Sequence, residues 1–369
     1  MTMATRRKRL MFSLTAIFLG IAIPVLALEV LLRFLPVKTP LGTVVVNEQN
    51  PIIHFTPNQA FTYSQGWRFT MVNTGRINNY GFVSQLDYRR QEDQGPVVIV
   101  GDSYVEALMV PYEQTVHGQL DEPGAKNGHV YSLGISGAQL PQYLAFAQYA
   151  WQEFAPRAMV FVIIGNDFDE SMLKYRDWPG FHYFEEDSVS HALKLVRQDY
   201  RPSLTKQLFR HSVLIRYLWD NIGVENLATF LTRMFDSADS YVGNTAASAP
   251  TERVTDSRRA VDAFFSELPR RVGLDKSKIL FVVDAMRPQI YSGGDLVRAE
   301  ESYVGQMRRY FFDTAERNGY EAIDMQPRFI AIHNQNGMRF EYPTDHHWNE
   351  LGHQEAAHAI ASSKAFRKS

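Results

Sequence analysis

A serine at the end of an apolar run is the residue of this sequence best placed to do chemistry. Residues 96–100 lead directly into Gly101-Asp102-Ser103. Such a run is typical of a buried parallel strand, and ligands bind at the carboxyl ends of these strands. Gly-Asp-Ser is also ordinary turn composition. A catalytic role for Ser103 therefore requires a base, an orienting acid and an oxyanion hole from elsewhere in the chain.

The best candidate for the base lies near the C-terminus, in Tyr342-Pro-Thr-Asp-His-His-Trp-Asn. A serine hydroxyl is a weak nucleophile until a base within hydrogen-bond reach accepts its proton. An aspartate two residues before a histidine can accept from Nδ1–H of the ring, which leaves Nε2 for the serine. Asp345 and His347 fit this pairing. We expect His346 to point elsewhere, because adjacent side chains in an extended segment diverge.

Two further turns supply donors of the type that an oxyanion hole needs. Leu133-Gly-Ile-Ser-Gly137 follows the second predicted strand, and Gly165-Asn166-Asp167 follows the third. A glycine N–H and an asparagine amide can both stabilise a tetrahedral oxyanion. Each segment alone is good turn composition. The prediction rests on three strand ends and a histidine loop converging at one edge of the sheet.

A metal site is the alternative for the C-terminal histidines. The potential ligands are Asp345, His346, His347, His353 and His358. Neither His-Glu-x-x-His nor a three-histidine spacing with a matching carboxylate occurs among them. We therefore predict no metal and no cofactor.

Together and in this order, the four motifs resemble those of the SGNH (GDSL-type) hydrolases. The resemblance extends from the turn at 78–81 to the C-terminal helix. It implies a flavodoxin-like sheet and acyl-serine chemistry on an ester. It also implies five site residues: Ser103 as nucleophile, Gly137 and Asn166 in the oxyanion hole with the Ser103 N–H, His347 as general base and acid, and Asp345 as its orienting acid.

The spacing of the acid and base bears on the type of reaction. Asp345 and His347 are separated by one residue, whereas many esterases of the family have two. The tighter spacing is similar to that of membrane-associated relatives, including alginate-type O-acetyltransferases that act on extracytoplasmic polysaccharide. Water would resolve the acyl-serine in a hydrolase, and a glycan hydroxyl would resolve it in a transferase. A catalytically silent, membrane-anchored scaffold in envelope polysaccharide assembly is the alternative of another class, because fold does not imply function.

The elements that must position these residues alternate between strands and helices. This alternation predicts βαβ units and a three-layer α/β/α domain with a parallel sheet. The predicted strands are 96–100, 128–133, 158–164, 279–284 and 320–324, and the predicted helices are 112–121, 140–155, 256–272, 296–318 and 350–365.

The N-terminal segment is typical of a helix that spans a membrane. Arg6-Arg-Lys-Arg9 precedes Leu10–Leu28, nineteen residues without a charge, close to the roughly 20 that a spanning helix needs. Basic flanks stay cytoplasmic, so the body should lie on the periplasmic or extracytoplasmic side of the inner membrane, held by a single-pass anchor. A cleaved signal peptide ending at Val25-Leu-Ala27 is the rival interpretation. We favour the anchor because the apolar pattern continues through Pro36.

The predicted organisation is an anchor at 1–35, a juxtamembrane lead-in at 36–95 and a catalytic domain at 96–369. An insertion at about 170–250 interrupts that domain. Insertions of this length are often lids, although a structural role fits equally well. Trp178 and several tyrosines there could stack on sugars or form core. Arg287, after the fourth strand, is either a substrate contact or a surface salt bridge.

Composition excludes several classes of function. The chain has no cysteine, so disulfides and thiolate sites are absent. Residues 1–38 hold six of the 38 basic residues and one of the 40 acidic ones, which leaves a net charge of −7 on the remainder. That balance argues against nucleic acid as a partner. We expect an ester-bearing partner, for which an acetylated glycan is the candidate.

Overall fold

The computed structural model describes residues 3–90, 95–121, 129–203, 210–223, 241–242, 245–343 and 345–367. The chain divides into two compact units. Unit 1 comprises Met1–Leu41, Phe61–Thr74 and Pro202–Arg233, and unit 2 comprises Gly42–Ala60, Gly75–Arg201 and Met234–Ser369.

Unit 2 is built on a five-stranded parallel sheet. Its strands, in chain order, are β3 (Val97–Gly101), β4 (Val130–Gly134), β5 (Ala158–Ile163), β10 (Ile279–Val283) and β11 (Glu321–Asp324). Their spatial order is β11-β10-β5-β3-β4, with every neighbouring pair parallel. Numbered by their order along the chain, these five strands lie in the order 2-1-3-4-5, which is the flavodoxin-like arrangement. Every residue of β3, β4, β5 and β10 is buried, as their apolar composition requires.

Helices cover both faces of this sheet. The helices described in unit 2 are α2 (Ser103–Glu106), α3 (Val116–Leu120), α4 (Leu140–Phe154), α5 (Asn166–Asp169), α7 (Thr251–Arg271), α8 (Gly293–Glu301), α9 (Tyr303–Arg317), α10 (Met325–Asn336), α11 (Glu350–Ser362) and α12 (Lys364–Arg367). Helix α7 packs against α4 and α9, whereas α11 packs against α3. Right-handed crossovers place these two groups on opposite faces, because the strand order reverses after β4. The predicted three-layer α/β/α fold is confirmed.

Two predicted helices are divided by capping residues. The single helix predicted at 296–318 is α8 followed by α9, because Ser302 is extended and its Oγ accepts the N–H of Gly305. The helix predicted at 112–121 is a 3-10 turn at 112–114 followed by α3, whose N-cap is Thr115. The start of the strand predicted at 128–133 lies outside the described residues.

Short antiparallel pairs complete the unit. They are β6 (His182–Glu186) with β7 (Leu193–Arg197), β8 (Tyr241–Val242) with β9 (Thr245–Ala246), and β12 (Glu341–Tyr342) with β13 (Asp345–Trp348). The insertion predicted at about 170–250 therefore contains regular structure over its first part. Much of the remainder, including 224–240, lies outside the described residues.

Unit 1 contains the N-terminal helix α1 (Met3–Leu32). Its stretch Arg7–Leu32 is long and apolar enough to cross a membrane and is not buried within the protein, which agrees with the predicted apolar helix. A hairpin of β1 (Gln59–Gln65) and β2 (Met71–Ile77) contributes its tip to this unit. The short helix α6 (Val213–Arg216) continues as a π-helical turn over Tyr217–Asn221.

Candidate active site

Three side chains predicted to act together form one hydrogen-bonded chain in unit 2. His347 Nε2 lies 2.7 Å from Ser103 Oγ. Its Nδ1 is bonded to Asp345 Oδ1, which also accepts the backbone N–H of His347 at 2.9 Å. The carboxylate thus fixes both the ring and its backbone. This geometry leaves Nε2 as the proton acceptor that faces the serine hydroxyl.

The sheet topology explains why these residues meet. Ser103 begins α2 immediately after β3, and Asn166 begins α5 just after β5. Strand order reverses between β3 and β5, and such switch points open a crevice at the carboxyl ends of parallel strands. His347 lies on strand β13, which shortly precedes α11. The structure therefore brings residues of distant sequence to one edge of the sheet.

The pairing of His347 with Asp345 sets their charge states. Burial lowers the pKa of His347, but the Asp345 carboxylate more than offsets this, so the pKa lies above its ordinary value. Burial raises the pKa of Asp345, but its contact with His347 outweighs that effect and holds the pKa below its usual range. An ionised aspartate beside a basic imidazole is the arrangement that general-base chemistry needs.

Asp102 contacts the serine hydroxyl in addition to stabilising the turn that the Gly-Asp-Ser composition indicates. Its Oδ1 accepts the N–H of Tyr104 at 2.9 Å, as expected of a turn residue. Its Oδ2 also lies 3.1 Å from Ser103 Oγ. Burial raises the pKa of this carboxyl to about 6. The serine hydroxyl therefore faces two acceptors, Asp102 and His347.

A buried ionic cluster holds the histidine loop in place. Arg287 Nη2 donates to Asp284 Oδ2 at 2.6 Å and to the Tyr104 hydroxyl at 3.1 Å. Trp348 Nε1 donates to Asp284 Oδ1 at 2.7 Å, and the Tyr104 hydroxyl donates to the carbonyl of His346 at 2.7 Å. These bonds fix the residues on both sides of His347.

Both roles predicted for Arg287 are wrong, because the residue belongs to this buried cluster. Its side chain is only 3% exposed and pairs with Asp284 and Glu341. It is thus neither a substrate contact nor a surface salt bridge. Burial of an arginine requires partners of this kind, since an unpaired buried charge is costly. Sequence reasoning missed Asp284 and Tyr104, although Asp284 is the last residue of a predicted strand and Tyr104 lies four residues after the end of another.

Asn166 is held by an acid that the sequence did not single out. Its Nδ2 donates to Glu170 Oε2 at 3.3 Å. Glu170 in turn forms an ion pair with Arg176. Because an amide nitrogen carries two hydrogens, one bond to Glu170 leaves the other hydrogen for a second acceptor. The adjacent Asp167 points inward, where it accepts from the Tyr143 hydroxyl and the Ile164 N–H at 2.8 Å each.

Gly137 lies beneath an arginine–tryptophan pair. Its φ of +85° favours glycine, and a Cβ there would lie 2.6 Å from Arg176 Nη2 and 3.1 Å from the Trp178 ring. The Arg176 guanidinium carbon is 3.4 Å from the centre of that ring. A side chain at position 137 would displace both residues. The preceding Ser136 is bonded through its N–H and hydroxyl to buried Glu106, which anchors this turn.

The aromatic residues of the insertion divide into core and surface. Tyr183 and Phe184 are fully buried, whereas Trp178 is 53% exposed. The structure thus places one exposed tryptophan beside Gly137 and uses the neighbouring aromatics for packing. Among the described residues, no group of three or more His, Asp or Glu side chains is arranged to hold a metal ion.

Comparison with known proteins gives structural likeness only. No family model matches the chain, and no curated protein matches it. Solved structures that resemble it include a member of the lipolytic G-D-S-L family from Veillonella parvula (14% identity, TM-score 0.33, covering 74% of this chain and 96% of that one). Others are an acetyl xylan esterase (14%, 0.37, 72% and 98%) and a phospholipase A1 from Streptomyces albidoflavus (11%, 0.39, 73% and 99%). At these identities and TM-scores, the likeness adds no argument to the site geometry.

Proposed function

We propose that this chain is a serine-dependent ester hydrolase that works through an acyl-serine intermediate. The observation that carries the proposal is the chain of hydrogen bonds from Asp345 through His347 to Ser103. Nucleophile, base and orienting acid in this order are the recurring arrangement for acyl transfer on unrelated folds. The location of Ser103 at the switch point of the sheet supports the proposal, because ligands bind there in open α/β folds.

Each proton in the proposed reaction has a defined place. His347 Nε2 accepts the proton of Ser103 Oγ as that oxygen attacks the ester carbonyl carbon. The resulting oxyanion would be stabilised by the Asn166 amide and the N–H groups of Gly137 and Ser103. The ester C–O bond then breaks as His347 donates its proton to the leaving alcohol. Water then attacks the acyl carbon as His347 accepts one of its protons. The bond from that carbon to Ser103 Oγ breaks as His347 returns the proton to Oγ, which releases the carboxylic acid and restores the free serine.

Labelling with a fluorophosphonate tests the proposal directly. The full chain should form a stable adduct, because the probe phosphonylates only a serine that a neighbouring base activates. Ser103→Ala should form none, while its melting temperature stays close to that of the wild type. A wild-type chain that is folded and does not label, and that does not hydrolyse aryl acetates, would instead favour the silent-scaffold alternative.

The proposed substrate class is an O-acetylated glycan. Trp178 supports this, because its exposed ring lies beside Gly137 and aromatic rings stack on the apolar faces of sugars. Arg176 already lies over the ring and orients it. We therefore propose that Trp178 contacts the sugar while the ester lies at Ser103. An O-acetyltransferase with the same site would show itself by acetylating an added oligosaccharide acceptor.

Trp178→Ala should weaken the use of an acetylated xylo-oligosaccharide without affecting a small aryl acetate. Loss of about 0.5–1.5 kcal/mol of stacking corresponds to a rise in KM of about 2- to 12-fold. The measurement is steady-state kinetics on both substrates. Trp67→Ala, which removes an exposed tryptophan of unit 1, is the matched control and should change neither KM. A rise in KM for the aryl acetate as well would contradict a role specific to the sugar.

We further propose that α1 is an uncleaved, single-pass anchor in the inner membrane, with the site on the extracytoplasmic side. The length and apolar composition of α1 support this. Its flank Arg6–Arg9 supports the orientation, since basic residues stay cytoplasmic. The ester substrate would then lie outside the cytoplasm.

A further inference from the structure

Unit 1 exposes an apolar face on α6 and the π-helical turn that follows it. Four large side chains there remain open to solvent: Ile215 (37%), Leu218 (40%), Trp219 (52%) and Ile222 (46%). Their spacing of i, i+3, i+4 and i+7 places them on one face of a helix. Nothing in the described part of unit 1 covers this stripe.

The opposite face of the same segment is packed. Val213 forms a small core with Leu32 and Val37. The ring of Tyr217 lies 5.6 Å from that of Phe69, and Asn221 Nδ2 donates to Ser64 Oγ at 2.7 Å. The segment is therefore amphipathic and fixed, with its apolar stripe held outward. We call residues 33–38, 64–70 and 212–222 the collar.

Glu29 fixes the depth of the collar relative to α1. Its carboxylate accepts from the Ser212 hydroxyl and from the N–H groups of Val213 and Leu214, at 2.9–3.0 Å. The nineteen uncharged residues before it, Leu10–Leu28, rise about 28 Å at 1.5 Å per residue. That length matches a hydrocarbon core of about 30 Å. Glu29 and the start of α6 therefore lie where the hydrocarbon would end.

The composition of the collar matches that boundary. Trp67 is two-thirds exposed at the tip of the hairpin, and its carbonyl accepts the Tyr217 hydroxyl at 2.7 Å. Arg68 lies 5.1 Å over the Trp67 ring, and Arg33 is exposed at the end of α1. Tryptophan and basic residues concentrate at the interface between lipid and water, where amphipathic helices lie with their apolar face in the lipid.

We propose that the collar lies in the membrane–water interface, with the stripe 215–222 buried among the lipids of the membrane that α1 spans. The collar then makes a second membrane contact, in the leaflet on the catalytic side. This inference rests on the proposed anchor and is independent of the ester chemistry. We assign the stripe to lipid rather than to another protein, because Glu29 bonds the start of α6 directly to α1, the proposed membrane helix.

The test uses unique cysteines in the full chain, which has none of its own. Leu218→Cys carries an environment-sensitive fluorophore in vesicles of phosphatidylethanolamine and phosphatidylglycerol. Val189→Cys and Val297→Cys, at exposed apolar positions in unit 2, are the matched controls. A lipid spin-labelled near its glycerol backbone should quench the label at position 218 at least several-fold more than at either control.

Three outcomes would overturn the inference in distinguishable ways. Equal quenching at all three positions would show that the stripe does not meet lipid. A label at 218 that is protected from aqueous iodide but not quenched by the lipid would show that a protein covers the stripe. Release of the wild-type chain from membranes by alkaline extraction would contradict the proposed anchor and therefore the collar proposal as well. Fluorophosphonate labelling would still test the role of Ser103 separately.

Discussion

Replacing His347 with alanine is expected to lower kcat for aryl acetate hydrolysis by about 10⁴- to 10⁶-fold. The reason is geometric, because Nε2 of this residue lies 2.7 Å from Ser103 Oγ. Without it the hydroxyl has no base to accept its proton and no acid to protonate the leaving alcohol. Steady-state kinetics at saturating substrate measures the loss. KM should change little, since the imidazole contacts the reacting atoms rather than the body of the substrate.

His346→Ala is the matched control for that experiment. The residue is adjacent in sequence, but its side chain is exposed, and the structure uses its backbone carbonyl as the acceptor for the Tyr104 hydroxyl. Alanine retains that carbonyl, so kcat should stay within a few-fold of the wild type. Equal losses in the two variants would contradict the assignment of the base and would indicate that any change in this loop disrupts it.

The fold and the position of the site residues were predictable, because both depend on patterns within short stretches of sequence. Apolar runs such as residues 158–164 specify strands buried on both faces, and these strands must be parallel if helices alternate with them. The polar residues that end such runs then share one edge of the sheet. Ser103 and Asn166 were found in this way, although neither motif was specific alone.

The residues that support the site were not predictable, because their partners are distant in sequence. Arg287 meets Tyr104 across 183 positions, and no local spacing signals such a contact. Glu170 and Arg176 follow β5 in a segment without periodicity, so only the structure shows that they hold Asn166 and cover Gly137. The outward stripe of the collar was missed for a related reason. The apolar residues of 211–222 would normally be expected to pack inward, because their sequence pattern is the same whether water or lipid surrounds the protein.

One ambiguity within the site comes from the structure rather than the sequence. Ser103 Oγ lies within hydrogen-bond distance of both Asp102 and His347, so two aspartates stand near the reacting groups. Asp345 contacts the imidazole directly. Asp102 contacts the hydroxyl and caps α2 through the N–H of Tyr104. Of the two aspartates, only Asp345 can select the tautomer of His347, because only Asp345 is bonded to Nδ1 of the ring.

Asp345→Asn should therefore lower kcat by about 10⁴-fold, the size of effect expected when the tautomer is wrong. It should also move the pH profile. Wild-type activity falls as pH drops through the raised pKa of His347, because a protonated imidazole accepts no proton. Removal of the Asp345 charge lowers that pKa, so the acid limb of kcat/KM shifts to lower pH.

Asp102→Asn is the comparison that separates the two roles. An asparagine oxygen can still accept the Tyr104 N–H, and the bond between His347 and Asp345 is untouched, so the loss in kcat should be far smaller. The acid limb should shift less as well, because Asp102 affects the pKa of His347 more weakly than Asp345 does. A larger loss for Asp102→Asn than for Asp345→Asn would reverse the assignment and make the residue beside the serine the acid on which proton transfer depends.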